Sequence, residues 1–250
     1  MNNVYIMSAN RSAIGGFGGT LKNHCPVDLG TLVAKEAIAR SGFEADDVEH
    51  AVFGNVIHTE PRDMYVSRVI ALQAGMDKAS AALTVNRLCG SGLQAIVSAS
   101  QILMLGDASV AMAGGVEVMS NGAHIVQGFR WGSRMGDGQV HDMMLGALHD
   151  PFGHGHMGIT AENISSRYQI SRKMQDEFAL TSQKRAYEAI KNGAFKDQIL
   201  PIEIKTRKGI EIFEIDEHPK PETSMETLTG LRTAFKKDGV VTAGNASGIN

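Results

Sequence analysis

Cys89 is the residue of this sequence best suited to act as a nucleophile. It stands in the run Asn86-Arg-Leu-Cys-Gly-Ser-Gly, which joins a short apolar stretch to a charge-free one. A strand that turns into a helix here places the thiol at the helix N-terminus, where unpaired N–H groups and the helix dipole favour the thiolate. Gly90 and Gly92 leave room for a substrate carbonyl, and local N–H groups can bind an oxyanion. A cysteine that only fills space in the core needs no glycines beside it, so the neighbouring glycines favour a catalytic role for Cys89 over a structural one.

Three histidines form the other concentration of reactive groups: His149, His154 and His156, next to Asp150. Imidazole and carboxylate ligands suit zinc. No second cluster in the sequence completes a four-ligand set, and the glycines between these histidines make the segment a loop. The pattern therefore favours a loop that lines a substrate tunnel over a metal site.

Two further features have simpler interpretations. Cys25 follows His24 in a polar turn ahead of a helix, and adjacent side chains do not readily bind one metal together, so Cys25 is predicted to be structural. The glycines at 15, 16, 18 and 19 precede no Gly-Lys-Ser/Thr run and lack the dinucleotide-binding spacing. They predict a tight turn rather than a phosphate loop.

The composition narrows the class of protein. The chain has 250 residues, 43% of them apolar, and a net charge of −3, which is typical of a globular protein with a sizeable core. The first residues do not have the pattern of a secretory signal, and we expect no apolar run as long as the roughly 18 residues of a membrane helix. With no basic stripe and two cysteines, the sequence predicts a cytoplasmic protein without a nucleic-acid or membrane partner.

The elements around Cys89 are predicted to alternate between strand and helix. The predicted strands are 4–8, 51–57, 82–85 and 109–114, and the predicted helices are 26–40 and 64–74. This order predicts a parallel sheet with right-handed crossovers. The helix that follows Cys89 is predicted to run to Leu105 and to end at Gly106. It has no charged residue from 88 to 106, so we expect it to be buried on every face, in an architecture of more than three layers.

The charge distribution predicts a second, smaller unit. Residues 81–159 contain 8 charged side chains, whereas the next 79 residues contain 27. The charge-rich stretch is typical of a solvated module laid on an interior. It holds predicted helices at 160–168 and 171–192 and a predicted β-hairpin around Lys208 and Gly209. The second helix is expected to be capped by Ser171, and its predicted inner face consists of Phe178, Ser182, Ala186 and Ile190.

The motif at Cys89 resembles that of the thiolase family, and most of all its bacterial acetyl-CoA acetyltransferases and β-ketothiolases. Further matching stretches follow in the family's order and begin at Arg11, Gly54, Gly114, Arg130, His156 and Gly244. The resemblance implies an α/β fold with the layered α/β/α/β/α architecture of thiolases, of which this chain holds the first half, and an inserted α+β loop domain. It implies that residues 1–118, resumed at 240–250, carry the nucleophile. Residues 119–239 would form the loop domain for CoA binding and oligomerisation.

The resemblance also implies an acyl transfer in which Cys89 becomes acylated. Two acyl-CoA molecules would undergo a Claisen condensation, acetyl-CoA giving acetoacetyl-CoA, or a 3-oxoacyl-CoA would undergo the reverse thiolysis. CoA thioesters are then the substrates, with no separate cofactor and no metal. The family positions that contact CoA fall on Leu148, His156 and Met157, on Ala243 and Ser247 opposite them, and on Lys220 near the nucleotide. The segment 130–135 implies a homotetramer.

One large departure from the family accompanies this resemblance. Thiolases continue into a second half with an Asn-Glu-Ala-Phe segment, a Gly-His-Pro histidine and a Cys-x-Gly-Gly cysteine, and residues 1–250 contain none of these motifs. We therefore expect this stretch to hold the nucleophile without the acid and base residues, and part of its charge-poor surface to be covered by that half. The alternatives are a ketoacyl-synthase-like condensing enzyme, a non-catalytic acyl-CoA-binding or assembly module, and a zinc-binding loop protein.

Overall fold

The computed structural model describes residues 3–250, in which helices and short strands alternate. The helices are α1 (Pro26–Ser41), α2 (Val66–Ala74), α3 (Ser91–Leu105), α4 (Met143–Ala147), α5 (Met157–Tyr168), α6 (Arg172–Lys191) and α7 (Met225–Thr229). The strands are β1 (Arg11–Ser12), β2 (His50–Gly54), β3 (Ala81–Val85), β4 (Ala111–Gly115), β5 (His124–Val126), β6 (Val140–Asp142), β7 (His149–Asp150), β8 (Gly155–His156), β9 (Ile199–Leu200), β10 (Ile202–Thr206) and β11 (Gly209–Phe213).

A parallel sheet in the order β3-β2-β4 organises the first part of the chain. Its strands are joined by α2 and α3, as the alternation of strand and helix predicts. Successive side chains of β2 point to opposite faces. Ala51 and Phe53 belong to a buried cluster with residues of α1 and α2, whereas Val52 packs with Ala95 and Ala99 of α3. The sheet is therefore covered on both faces, and the predicted parallel arrangement is confirmed.

The predicted strand at 4–8 is wrong. Within the described residues, 3–10 form no strand, and Tyr5 and Ile6 are largely exposed. Two side chains attach this stretch to α1, because the Ser8 hydroxyl donates to the carbonyl of Ala37 and the Asn10 amide donates to that of Val33. Side-chain hydrogen bonds to a helix thus replace the backbone ladder that an apolar pattern predicts.

The helix α3 is covered on one side only. Its buried residues are Ser91, Ala95 and Ala99, whereas Leu93 is 70% and Leu105 is 78% exposed. The prediction of burial on every face is therefore wrong for this chain by itself, because only the stripe of small side chains meets the sheet. The expected end at Gly106 is confirmed, since that glycine adopts a left-handed φ of 82°.

The segment Leu88–Leu105 also corrects an expectation about length. It comprises α3 and the three residues before it, and among residues 3–250 it is the one segment whose length of 18 residues and apolar composition would suffice to cross a membrane. The expectation that no apolar run has this length is therefore wrong.

The long helix α6 begins where the sequence predicts but presents a different face. The Ser171 hydroxyl accepts a hydrogen bond from the N–H of Met174 and caps the helix. Phe178 and Ser182 are exposed, although Ala186 and Ile190 on the same predicted face are half-buried. The helix is rotated from the predicted orientation because its most buried residue is a carboxylate, Asp176, which apolar periodicity does not reveal.

The later strands attach to the first part of the chain. β9 pairs in parallel with β1, Arg11 lying opposite Ile199, and β10 and β11 form the predicted hairpin. A shared apolar cluster accompanies this pairing and consists of Ala13, Leu21, Leu29, Val118, Ile199, Ile202 and Phe213. The domain boundaries at 118 and 240 remain predictions.

Candidate active site

The turn that carries Cys89 lies at the carboxyl end of the central sheet. It comprises the five residues between the end of β3 at Val85 and the start of α3 at Ser91. Leu88 has a φ of 48°, in the left-handed region that a leucine rarely adopts. Cys89 follows with an exposed side chain, immediately before the first turn of α3. This is the placement that the sequence predicts.

Hydrogen bonds from two side chains enclose Leu88. The Ser91 Oγ accepts from the N–H of Arg87 at 2.8 Å and donates to the carbonyl of Leu88 at 2.6 Å. On the other side, the Asn86 Oδ1 accepts from the N–H of Leu88 at 3.0 Å. The residue before the candidate nucleophile is therefore held through both of its peptide groups.

Glycines allow α3 to begin directly against the strand ends. A Cβ on Gly54 of β2 would lie 2.7 Å from the carbonyl carbon and the Cβ of Ser91, and one on Gly115 of β4 would lie 3.2 Å from the Cα of Gly92. A Cβ on Gly92 itself would meet no described atom within 4 Å. Gly92 thus leaves the space beside the turn that the sequence predicts, whereas Gly54 and Gly115 are required for packing.

A buried pair, Asn55 and Glu117, joins the three strand ends below this turn. Asn55 is 1% exposed, its N–H donates to the carbonyl of Val85, and its amide donates to Glu117 at 2.9 Å. Glu117 also accepts from the N–H groups of Val56 and Ile57. Burial raises the pKa of Glu117, against the lowering effect of those backbone donors. Both residues lie in stretches that resemble thiolase motifs, those that begin at Gly54 and Gly114, but no pattern in the sequence predicts a role for either residue.

Three of the predicted CoA contacts lie together on one side of the loop region. The N–H of Met157 donates to the carbonyl of Leu148 at 2.8 Å, which places the two residues next to each other. His156 stands between them in β8 and its Nδ1 accepts from the N–H of Gly158 at 3.0 Å. Its ring stacks on Phe235 with centroids 4.8 Å apart. The imidazole is thus held in one orientation beside the exposed part of Met157.

Two more predicted contacts, Ala243 and Ser247, are exposed in the segment 240–250. Two buried carboxylates anchor this segment. Glu162 of α5 accepts from the N–H groups at 240 and 241, and Asp176 of α6 accepts from the Asn245 amide at 2.9 Å. In the described part of the chain, no hydrogen bond or ring contact joins Cys89 to either group of predicted CoA contacts. Lys220 is exposed, and its N–H donates to the side chain of Gln183 in α6.

The histidine loop is a small hairpin. His149 of β7 lies opposite His156 of β8, and their rings meet edge to face at 5.1 Å. Nδ1 of His149 lies 2.7 Å from the carbonyl of Leu145. Among residues 3–250 no group of three His, Cys, Asp or Glu side chains is placed to hold a metal ion.

The glycine-rich loop near β1 already holds an anion of its own. The Glu217 carboxylate accepts from the N–H groups of Gly16 and Thr20 and from the Thr20 hydroxyl. The neighbouring Asp216 accepts from the N–H of Ile14 and from the Arg11 guanidinium at 2.7 Å. The predicted tight turn is confirmed, with the N–H of Gly19 bonded to the carbonyl of Gly16. Backbone N–H groups of the kind that bind phosphate in other proteins bind side-chain carboxylates in this loop.

Cys25 has surroundings that suppress thiolate formation. It precedes α1 and lines an open cleft together with His24, Thr59, Glu60 and Asn121. Burial, followed by a hydrogen bond with the Asp28 side chain, raises the pKa of the Cys25 thiol to about 11. The contact of Arg62 with the sulfur at 3.1 Å does not offset these effects.

A family comparison gives this arrangement its context. The model of the N-terminal domain of thiolases matches residues 4–250. The chain belongs to the thiolase family. The thiolase resemblance of the Cys89 motif is thereby confirmed.

Related proteins and solved structures agree with this membership. The chain is 56% identical over 248 residues to β-ketothiolase BktB of Cupriavidus necator and 45% identical over 251 residues to an acetyl-CoA acetyltransferase of Syntrophomonas wolfei. It covers 63% of the length of each, and 99% of its own length is matched. The crystal structure of a Bacillus anthracis acetyl-CoA acetyltransferase superimposes with a TM-score of 0.95 at 45% identity, over 100% of this chain and 63% of that one.

A further solved structure is human mitochondrial 3-ketoacyl-CoA thiolase in complex with CoA. It superimposes with a TM-score of 0.92 at 37% identity, over 98% of this chain and 61% of that one. The predicted thiolase-like α/β fold is therefore confirmed.

Proposed function

We propose that this chain supplies the nucleophile and much of the CoA-binding surface of an acetyl-CoA acetyltransferase or β-ketothiolase. The observation that carries the proposal is the placement of Cys89. Its exposed thiol stands on a left-handed turn at the N-terminus of α3, beside the open space at Gly92. The names of its relatives agree with acyl transfer between CoA thioesters.

The proposed reaction has two steps at Cys89. The thiolate attacks the carbonyl of acetyl-CoA, the C–S bond to CoA breaks, and CoA leaves with a proton as the free thiol. A second acetyl-CoA loses an α-proton, and its carbanion attacks the acetyl-cysteine carbonyl, which releases the Cys89 thiolate and acetoacetyl-CoA. Exchange of the acetyl group between the thiols of CoA and Cys89 is nearly balanced in free energy, so the acetyl-cysteine is not a trap. The same two steps in reverse are the thiolysis of a 3-oxoacyl-CoA.

The proposed path of CoA runs between the loop region and the segment 240–250. Leu148, His156 and Met157 would line one side of the pantetheine and acyl channel, and Ala243 and Ser247 the other. The support is that each group is held in a fixed position, the first by the β7–β8 hairpin and the second by Glu162. Lys220 is exposed and suits a contact with the nucleotide phosphates. CoA thioesters are then the partners, and the proposal requires no separate cofactor and no metal.

Acid and base groups for both steps are proposed to come from the part of thiolases that this chain does not cover. No hydrogen bond links Cys89 to a histidine or carboxylate in residues 3–250, and the chain covers 63% of its relatives' length. The exposed residues of α3 would face that part. The complete protein is proposed to be a cytoplasmic homotetramer. Trp131 and Met135, 88% and 96% exposed, would form contacts between subunits.

Labelling with [1-¹⁴C]acetyl-CoA tests the nucleophile in the complete protein. Trypsin separates Cys89, in the peptide 88–130, from Cys25, in the peptide 23–35. Label is expected in the first peptide and absent after Cys89→Ala, which should also abolish thiolysis of acetoacetyl-CoA. Cys25→Ser is the matched control and should keep both. Full thiolysis by the Cys89→Ala variant would refute the proposed function.

A further inference from the structure

We propose that Ser91 is a positioning residue that holds Leu88 in its left-handed conformation and thereby aims the Cys89 thiol. The inference rests on the proposed function of Cys89. In the described residues no hydrogen bond joins Ser91 to the sulfur; Ser91 acts through the N–H of Arg87 and the carbonyl of Leu88.

The conformation of Leu88 requires support. At a φ of 48° the Cβ of a leucine crowds its own backbone, and an unsupported residue returns to a negative φ. Packing does not enclose Leu88, since its side chain is 55% exposed. Its conformation therefore depends on hydrogen bonds to its backbone.

Ser91 supplies one of these bonds, to the carbonyl of Leu88, and its hydroxyl forms a second bond to the residue before Leu88. The hydroxyl accepts from the N–H of Arg87 and donates to the carbonyl of Leu88, so it spans the residue on its N-terminal and C-terminal sides. Ser91 is 4% exposed and lies directly against Gly54, which has no side chain at the point of contact. The serine can therefore move little, and it transmits the position of β2 to the turn.

Loss of the hydroxyl has a defined consequence. The N–H of Arg87 would lose its acceptor inside the turn, and the carbonyl of Leu88 would keep only the backbone donor of residue 91. Leu88 would then favour a negative φ, and Cys89 would turn away from the N-terminus of α3. Glycine adopts a left-handed φ without this cost, so glycine at position 88 should compensate for the missing hydroxyl.

The test is a cycle of Ser91→Ala, Leu88→Gly and the double variant, made in the complete protein. The measured quantity is the rate of iodoacetamide alkylation of Cys89, followed in the tryptic peptide that begins at residue 88, from about pH 6 to about pH 9. Ser91→Ala is expected to slow alkylation near neutral pH and thiolysis by about tenfold each, and the double variant to recover most of both losses. Ser100→Ala removes a hydroxyl from the same helix and should change neither.

Two results would overturn the inference. One is alkylation of Cys89 in Ser91→Ala within twofold of the parent rate across the pH range. The other is a loss in Ser91→Ala that Leu88→Gly does not reduce, while thermal unfolding shows that both variants are folded. Alkylation requires no catalysis, so the result is independent of whether Cys89→Ala abolishes thiolysis, and failure of the proposed function is seen separately.

Discussion

Replacement of Gly54 by alanine should displace the start of α3 from the sheet. The new Cβ would lie 2.7 Å from two atoms of Ser91, whereas ordinary contacts begin at about 3.4 Å, so helix and strand must separate by about 0.7 Å. Neither atom is the end of a flexible side chain, because the two are the carbonyl carbon and the Cβ of Ser91. Overpacking of this kind costs about 2 kcal/mol, which lowers Tm by about 4–8 °C in a protein of this size.

Thermal unfolding followed by circular dichroism measures this effect, with alkylation of Cys89 as the local readout. The matched control is Gly146→Ala in α4, where a Cβ would meet no described atom within 4 Å. Alanine at that helical position should be neutral or stabilise by up to about 1 kcal/mol. Equal changes in Tm for the two variants would show that the contact between Gly54 and Ser91 does not limit the packing, and would refute the reasoning.

Three further predictions concern the remaining titratable groups. With a pKa of about 11, Cys25 is about one part in a thousand thiolate at pH 8, so peptide mapping should show far slower alkylation of Cys25 than of Cys89; comparable rates would contradict this. Burial alone would raise the pKa of Asp216, but bonds from Arg11 outweigh it and the net shift is downward. Its stabilisation is therefore present above about pH 4 and lost as pH falls further, and Asp216→Asn should lower neutral stability in urea titrations by about 1–2 kcal/mol while removing this dependence. Glu162→Gln should raise KM for acetoacetyl-CoA more than it lowers kcat, because it loosens the segment 240–250; unchanged KM would contradict that role.

Local patterns in the sequence predict much of the fold. The alternation around β2, the cap at Ser171 and the stop at Gly106 each depend on residues within a few positions of one another, and each is confirmed. The prediction of a strand at 4–8 is wrong because this stretch is attached to α1, whose carbonyls bind Ser8 and Asn10 from 29 and 23 positions away. The predicted inner face of α6 is wrong because the buried side chain of Asp176 accepts a hydrogen bond from Asn245, 69 positions later.

The candidate site likewise contains one residue that the local sequence predicts and several contacts that it does not. Cys89 is recognisable because its glycines and the charge-free helix are its neighbours in sequence. Asn55 and Glu117 meet across 62 positions, and the stacking of His156 on Phe235 crosses 79, so no local pattern indicates either contact. Buried polar pairs of this kind become visible only when the strands that carry them are placed side by side.

The carboxylates that fill the glycine-rich loop impose an order on folding. Ile14 and Gly16 donate to Asp216 and Glu217, which follow them by 202 and 201 positions. During synthesis this loop leaves the ribosome long before Asp216 and Glu217 do. Its N–H groups therefore lack their native acceptors while β2, β3 and β4 form. Contacts of such separation form late because their closure entropy is large. The loop at residues 14–20 is therefore among the last parts of this chain to reach its native conformation, although it is synthesised before the central sheet.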